Sequence, residues 1–238
     1  MCIRDRYKTV PNFSIAQEHS DYYIGMGLTA EEVAVKYQIT REQADQFSLL
    51  SHQKAIQAMD AGLFKDEIVP FEVEEIYFDG QQKNKRTYVV AADEGPRRDT
   101  TLEGLSKLKA VFKAGGQVTA GNASQTSDGA AFVLVMSEEM VKELNLTPVA
   151  RMMTCVSAGV SPRYMGMGPC EAVPKALMRA GLKMQDLDLI ELNEAFAAQS
   201  LAVLQNLPDV NQDIVNVNGG AIALGHPLGC SGTKLSIQ

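Results

Sequence analysis

The stretch NVNGGAIALGHPLGCSG, residues Asn216 to Gly232, decides how the rest of the chain is read. A strand over Asp213–Val217 runs into several glycines grouped around a single histidine, His226. Glycine lets a backbone approach a ligand closely, and Pro227 suits the first turn of a following helix. His226 is therefore placed on a stiff loop at the carboxyl end of a strand, where open α/β sheets form their ligand sites. Two other readings are a phosphate loop and a plain packing turn. Gly220 and Gly225, with four residues between them, mimic the glycine half of a phosphate-loop motif, but His226 and Pro227 stand where lysine and a hydroxyl residue are needed. Proline cannot ligate magnesium, which argues against a nucleotide hydrolase.

Upstream of this stretch the chain alternates. A strand (Ala150–Ser157), a glycine loop, a helix (Glu171–Ala180) stopped by Gly181, a strand (Leu187–Leu192) and a helix (Asn193–Leu207) lead into it. That order implies α/β layering. Earlier still, Ala130–Met136 is an unbroken apolar run of the kind found in buried strands, and Ser137 with Glu138 and Glu139 starts a helix. The first half is less regular. Thr29-Ala-Glu-Glu32 and Thr40-Arg-Glu-Gln43 both have the capping-box pattern. The second opens a helix with a stripe of Ala44, Phe47, Leu50, Ala55 and Met59, closed by Gly62. Ile68–Phe78, a turn at Asp79-Gly80 and Arg86–Val90 read as a hairpin. Asp93–Thr101 is a loop, and Leu102–Phe112 reads as a short helix.

The chain has 238 residues, 45% hydrophobic and 21% charged, with a formal net charge of −7. That length supports a buried core in one or two domains. The acidic balance opposes a nucleic-acid partner, which would need a basic face. No apolar run approaches the length of a membrane span. The four cysteines, Cys2, Cys155, Cys170 and Cys230, form no C-x-x-C pair, so neither a metal site nor a redox motif is expected, and scattered thiols fit a reducing compartment. Histidine chemistry must choose among His19, His52 and His226.

NVNGGAIALGHPLGCSG (216–232) resembles the histidine signature of thiolases. LIELNEAFAAQ (189–199) resembles their N-E-A-F motif, and GQVTAGNASQTSDGAA (116–131) their V-T-A-G-N-A-S segment. MGLTAE (26–31) and MGMGP (165–169) match as well, all in family order from about Tyr7 onward. The resemblance implies a thiolase-type fold of layered α/β/α units, here with most of the first unit missing. Residues 1–6 (MCIRDR) are read as an artefact, 7–114 as a loop or lid domain, 115–147 as the last part of an N-terminal α/β unit, and 148–238 as a partial C-terminal unit. Both ends are read as cut.

The resemblance also assigns roles. Thiolysis needs a thiolate, a base and donors for a thioester oxyanion. His226 is expected to activate the acyl-accepting cysteine and face the thioester oxygen, and Asn193 to orient a water beside it. An ordinary helix N-cap is the alternative for Asn193. Arg97 is expected near the nucleotide end of coenzyme A, with a solvated loop cation as the alternative. Ala120 and Ser124 match pantetheine contacts. Met26, Ala195 and Phe196 would supply apolar walls, or be core. The implied partners are acyl-CoA and coenzyme A, the latter as substrate rather than cofactor, in a homodimer or homotetramer. A cytoplasmic location follows if the source is bacterial.

The sequence departs from the family in its cysteines. It has no C-x-S-G motif, and it ends before any C-x-G-G-G segment. Cys230 falls on a variable small position of the histidine motif. The expectation is an acyltransferase that cleaves 3-ketoacyl-CoA or runs the reverse condensation, represented by an inactive and poorly soluble fragment. The alternatives are a biosynthetic acetyl-CoA acetyltransferase and a non-catalytic CoA-binding protein of the same fold. A serine hydrolase is disfavoured because no G-x-S-x-G elbow exists.

Overall fold

The computed structural model describes residues 11–238; the artefact reading of residues 1–6, and Cys2 with it, lies outside the described residues. Among these, nine α-helices follow one another: α1 (Phe13–Glu18), α2 (Met26–Lys36), α3 (Arg41–Asp60), α4 (Leu102–Ser106), α5 (Glu138–Glu143), α6 (Gly168–Ala180), α7 (Ala197–Asn206), α8 (Ala221–Leu224) and α9 (Ser231–Ile237). Strands β1 (Phe71–Asp79) and β2 (Gln82–Val90) form an antiparallel hairpin between α3 and α4. No helix among the described residues is long and apolar enough to cross a membrane.

The start of α3 is dictated locally. Thr40 Oγ1 accepts the Gln43 N–H at 3.2 Å, and Gln43 Oε1 accepts the Thr40 N–H at 2.8 Å, so two orphan donors are satisfied. The box expected at Thr29 does not form. Helix α2 begins three residues earlier, at Met26, and the Thr29 hydroxyl donates back to the Met26 carbonyl at 2.7 Å. Glu31 lies inside that helix and serves a distant loop. Its carboxylate, 2% exposed, accepts the N–H groups of Gln117 and Val118 at 2.8–2.9 Å.

Helix α3 is the bed on which the glycine stretch lies. Its buried face is Ala44, Ser48, Ser51, Ala55 and Ala58, a stripe of small residues at helical spacing. The expected stripe of larger side chains is corrected here: Leu50 is exposed, and Phe47 and Met59 are only partly buried. Small side chains let another backbone come close. Ala55 and Ala58 pack with Phe64, Ala223 and Leu224, and Ala44 packs with Ala197 and Ile222. Helix α3 thus holds the start of α7 and the whole of α8 on one face. A larger cluster of Val33, Ala34, Ile39, Met167, Met184, Ala198, Ala202, Val203 and Leu207 joins α2 to α7 behind them.

The hairpin is longer than expected, pairing from Phe71 with Val90 to Asp79 with Gln82. Gly80, with φ of +61°, makes the two-residue turn possible. The other expected strands do not form ladders. Ala130–Met136 and Ala150–Ser157 run as irregular chain, with Phe132 89%, Leu134 82% and Val135 74% exposed. A strand is defined by its neighbour, because its N–H and C=O groups bond across to another chain segment. Among the described residues no strand pairs with these runs. The expected strands Leu187–Leu192 and Asp213–Val217 reduce to one parallel bridge, Ile190 with Val215, bonded at 2.9–3.0 Å. Two helices are also shorter than expected: α4 stops at Ser106 instead of Phe112, and α7 starts at Ala197 instead of Asn193.

Candidate active site

Two arms of chain meet beside α3. One is the stretch from Leu192 to Ala197 leading into α7; the other runs from Asn216 through α8 to α9. Asn216 joins them. Its Oδ1 accepts the Leu192 N–H at 2.7 Å, and its Nδ2 donates to the Leu192 carbonyl at 2.8 Å. The side chain thereby completes a ladder that the backbone leaves after one bridge.

His226 stands at the end of the second arm, half-buried, between α8 and α9. Its Nδ1 is 2.6 Å from Ser231 Oγ, and Ser231 donates its own proton to the Pro227 carbonyl at 3.1 Å. With the Ser231 hydrogen directed to that carbonyl, Ser231 Oγ is free to accept from Nδ1–H, the tautomer in which Nε2 keeps its lone pair. Asn193 Nδ2 lies 3.4 Å from that Nε2 and supplies a matching N–H. Burial holds the imidazole below the ordinary histidine pKa, favouring the neutral form. A neutral ring can take a proton and, once charged, donate to a developing oxyanion from the same atom. Asn193 does not cap α7: the N-cap is Phe196, three residues later, and no side chain caps it. That corrects the capping alternative.

The segment from residue 118 to 125 forms the floor. The Ser124 N–H donates to the Ala195 carbonyl at 2.9 Å, the Ala197 N–H to the Asn122 carbonyl at 2.9 Å, and Ala123 is bridged to Phe196. Ser124 and Ala195 are thus brought together, and the Ser124 hydroxyl forms no hydrogen bond among the described residues. Phe196 meets Phe112 edge to face, with ring centroids 6.2 Å apart. Gln125 was not singled out from the sequence, yet it binds the floor to both neighbours. Its Nε2 lies within 3.1–3.3 Å of the carbonyls of Gly95, Ile222 and Ala223, and its own carbonyl accepts the His226 N–H at 3.4 Å.

A cleft of about 250 Å³ opens beside this floor, lined by Arg97, His52, Ala120, Gly121, Gln125 and Ile222 among others. Arg97 and Ala120 therefore share one cavity. The two neighbouring arginines differ in what they do. Arg98 is committed to Asp60, with contacts of 2.5 and 2.9 Å, whereas the Arg97 guanidinium has no protein partner among the described residues. The Arg97 backbone N–H is fixed by His52 Nδ1 at 3.1 Å. Burial, reinforced by the Arg97 charge, keeps His52 below the ordinary histidine pKa and able to accept that bond. Met26 is 50% exposed at the start of α2, next to Gly27, which packs on the Phe112 ring that meets Phe196.

Cys230 directly precedes Ser231, and its N–H donates to the Pro227 carbonyl at 2.8 Å. Cys155 is exposed; Cys170 and Cys230 are half-buried, and none is a hydrogen-bond partner of the His226 ring. Glu194 was also missed. Its carboxylate is 2% exposed in the middle of the junction. The signal was available: a charge inside the apolar run Leu189–Ala198 implies a buried acceptor with donors waiting for it.

Residues 7–139 match the N-terminal domain of thiolase and residues 146–238 its C-terminal domain. The chain is 51% identical over 232 residues to a 3-ketoacyl-CoA thiolase of Bacillus subtilis, covering 97% of this chain and 59% of that protein. The dimeric peroxisomal thiolase of Saccharomyces cerevisiae superposes with a TM-score of 0.86 at 41% identity, over 96% of this chain and 56% of that one. Human mitochondrial 3-ketoacyl-CoA thiolase in complex with CoA gives 0.80 at 43% identity, over 94% and 53%. The fold is that of these enzymes, and the chain spans little more than half of their length.

Proposed function

This chain belongs to the thiolase family, and from that premise we propose that its site serves acyl transfer on coenzyme A thioesters: cleavage of a 3-ketoacyl-CoA by a thiol, or the reverse condensation. The observation that carries the reading is the facing of Asn193 Nδ2 and His226 Nε2 at 3.4 Å, with Nδ1 tied to Ser231. In this reading Nε2 takes the proton of an attacking thiol. The resulting imidazolium then donates to the thioester oxygen as negative charge gathers there, and Asn193 supplies the second donor through a water. Arg97 pairs with phosphate or stacks on adenine at the far end of the ligand. Ala120 and Ser124 border the pantetheine arm, and Ala195 and Phe196 wall its thioester end. Met26, beside the Gly27–Phe112 contact, adds a further apolar wall.

The proposal extends to lipid breakdown by β-oxidation and to a homodimer or homotetramer; the similarity to a dimeric thiolase and to a CoA-bound one supports these steps. In this reading residues 7–114 are the loop or lid domain, which also supplies α3 beneath the site and Arg97 to the cleft wall, 115–147 belong with the N-terminal unit, and 148–238 with the C-terminal one. No thiol meets the imidazole among the described residues, so the 238-residue chain alone is proposed to bind CoA without turnover. Titration of the purified chain with CoA, beside an acetoacetyl-CoA thiolysis assay, tests this. Binding that weakens in Arg97→Ala, with no thiolysis, is the expected result. Absence of any CoA binding would overturn the reading, and robust thiolysis would mean that Cys230 or another thiol serves as nucleophile.

A further inference from the structure

Glu194 follows Asn193 in the chain and points the other way, into the junction. Its oxygens accept three hydrogen bonds, from Ser51 Oγ at 2.6 Å, Asn216 Nδ2 at 2.9 Å and the Ile222 N–H at 3.3 Å. Ser51 also accepts the Gly220 N–H at 3.1 Å, so the network reaches the second arm at three points, Asn216, Gly220 and Ile222. Gly220 leaves just enough room: a β-carbon there would overlap the carboxylate. The three donors come from three different elements. Ser51 lies on α3, Asn216 at the foot of the second arm, and Ile222 in α8, four residues before His226.

A side chain whose only task was to fill this space would be apolar. Burying an ion costs several kcal/mol unless its lone pairs are met, and a well-packed hydrophobic residue often serves stability as well or better. A carboxyl group is instead the shape that three converging donors require, because it presents acceptors on both oxygens; burial pushes its pKa up, and the bonds from Ser51, Asn216 and Ile222 work against that rise. We propose that Glu194 is a positioning residue that sets the separation of Asn193 and His226. It is joined to the first by one peptide unit and holds the loop carrying the second through Asn216, Ile222 and, by way of Ser51, Gly220. The proposal rests on reading that pair as the reacting groups. It assigns Glu194 no contact with the thioester.

Glu194→Gln keeps the volume but turns one acceptor into a donor facing other donors. The readout is the ¹⁵N spectrum of the His226 ring in the full 238-residue chain without CoA, with exposed His19 as internal reference. The expected result is a folded variant whose His226 ring signals move and whose titration midpoint shifts by about 0.5 unit or more. Ser51→Ala, which removes one donor, should move the same signals less and in the same direction. A Glu194→Gln chain that melts lower but keeps wild-type His226 signals would show a merely structural role and overturn the proposal. Should that variant not fold, unchanged signals in Ser51→Ala overturn it instead. CoA titration separates the two readings: a wild-type chain that binds no CoA sinks the functional one, whereas the ring signals decide the positioning one alone.

Discussion

Asn193 Nδ2 and His226 Nε2 meet at 3.4 Å although 33 positions separate them in the chain. Neither residue reaches the other by local structure. The pairing exists because Asn216 bonds the Leu192 backbone in both directions and α3 carries both arms on one small-residue face.

The first prediction concerns the ring itself. Ser231→Ala removes the acceptor for Nδ1–H, so the fixed tautomer should give way to a mixture, visible in ring ¹⁵N shifts. Where a full-length relative is assayed, loss of one such bond, about 1 kcal/mol, should lower turnover roughly five- to tenfold. In the wild-type chain His226 should titrate below the ordinary histidine value because burial disfavours its charged form. The unfolded chain then binds the proton more readily, so this group's contribution to stability is present at neutral pH and is lost on acidification.

Arg97→Ala should weaken CoA binding by about 1.5–3 kcal/mol, the range for a hydrogen bond to a charged group, as measured by calorimetry. Arg98→Ala is the control. Its guanidinium belongs to Asp60 on the surface, so CoA affinity should stay within about twofold of wild type.

Glu191 gives the opposite pH dependence. Burial raises its carboxyl to about 7, with Lys234 opposing and Glu194 adding to the rise, and its Oε2 is buried without a partner. Between the ordinary glutamate value and about 7 the folded chain holds a proton that the unfolded chain has released. Stability should therefore fall as pH rises through that window. After allowance for partial solvent screening the effect is about 1–2 kcal/mol. Denaturant unfolding at several pH values should show this slope, and Glu191→Gln should flatten it.

Glu31→Ala should cost about 2–4 kcal/mol in denaturant unfolding, since it strands the buried N–H groups of Gln117 and Val118. A loss below about 0.5 kcal/mol would mean that water replaces the carboxylate.

Local chemistry was legible where it needed no partner. The Thr40–Gln43 box and the Asp79-Gly80 turn formed as the residues dictate. Thr29 followed the same pattern and failed, because helix α2 had already begun at Met26 and Glu32, the residue due to answer it, pairs with Arg163 at 3.2 Å. The apolar run Ala130–Met136 reads as a strand from composition, but composition cannot supply the neighbouring strand that makes it one. At the site, the motifs found His226, Asn193 and the floor around Ser124. The resemblance chose Arg97 from the Arg97–Arg98 pair, but that Arg98 is taken by Asp60 depends on where Asp60 falls in the fold. Glu194 and Gln125 escaped because their work is done through backbone groups on other elements.

The hairpin has a practical consequence. Its two nine-residue strands pair chiefly with each other, and Asp79 to Gln82 are all exposed. At about 3.4 Å per residue such strands extend roughly 30 Å. The turn is therefore a natural mast: a fluorophore or an epitope tag spliced after Gly80 should report on tumbling and encounter while the cleft, whose lining includes no hairpin residue, is left undisturbed.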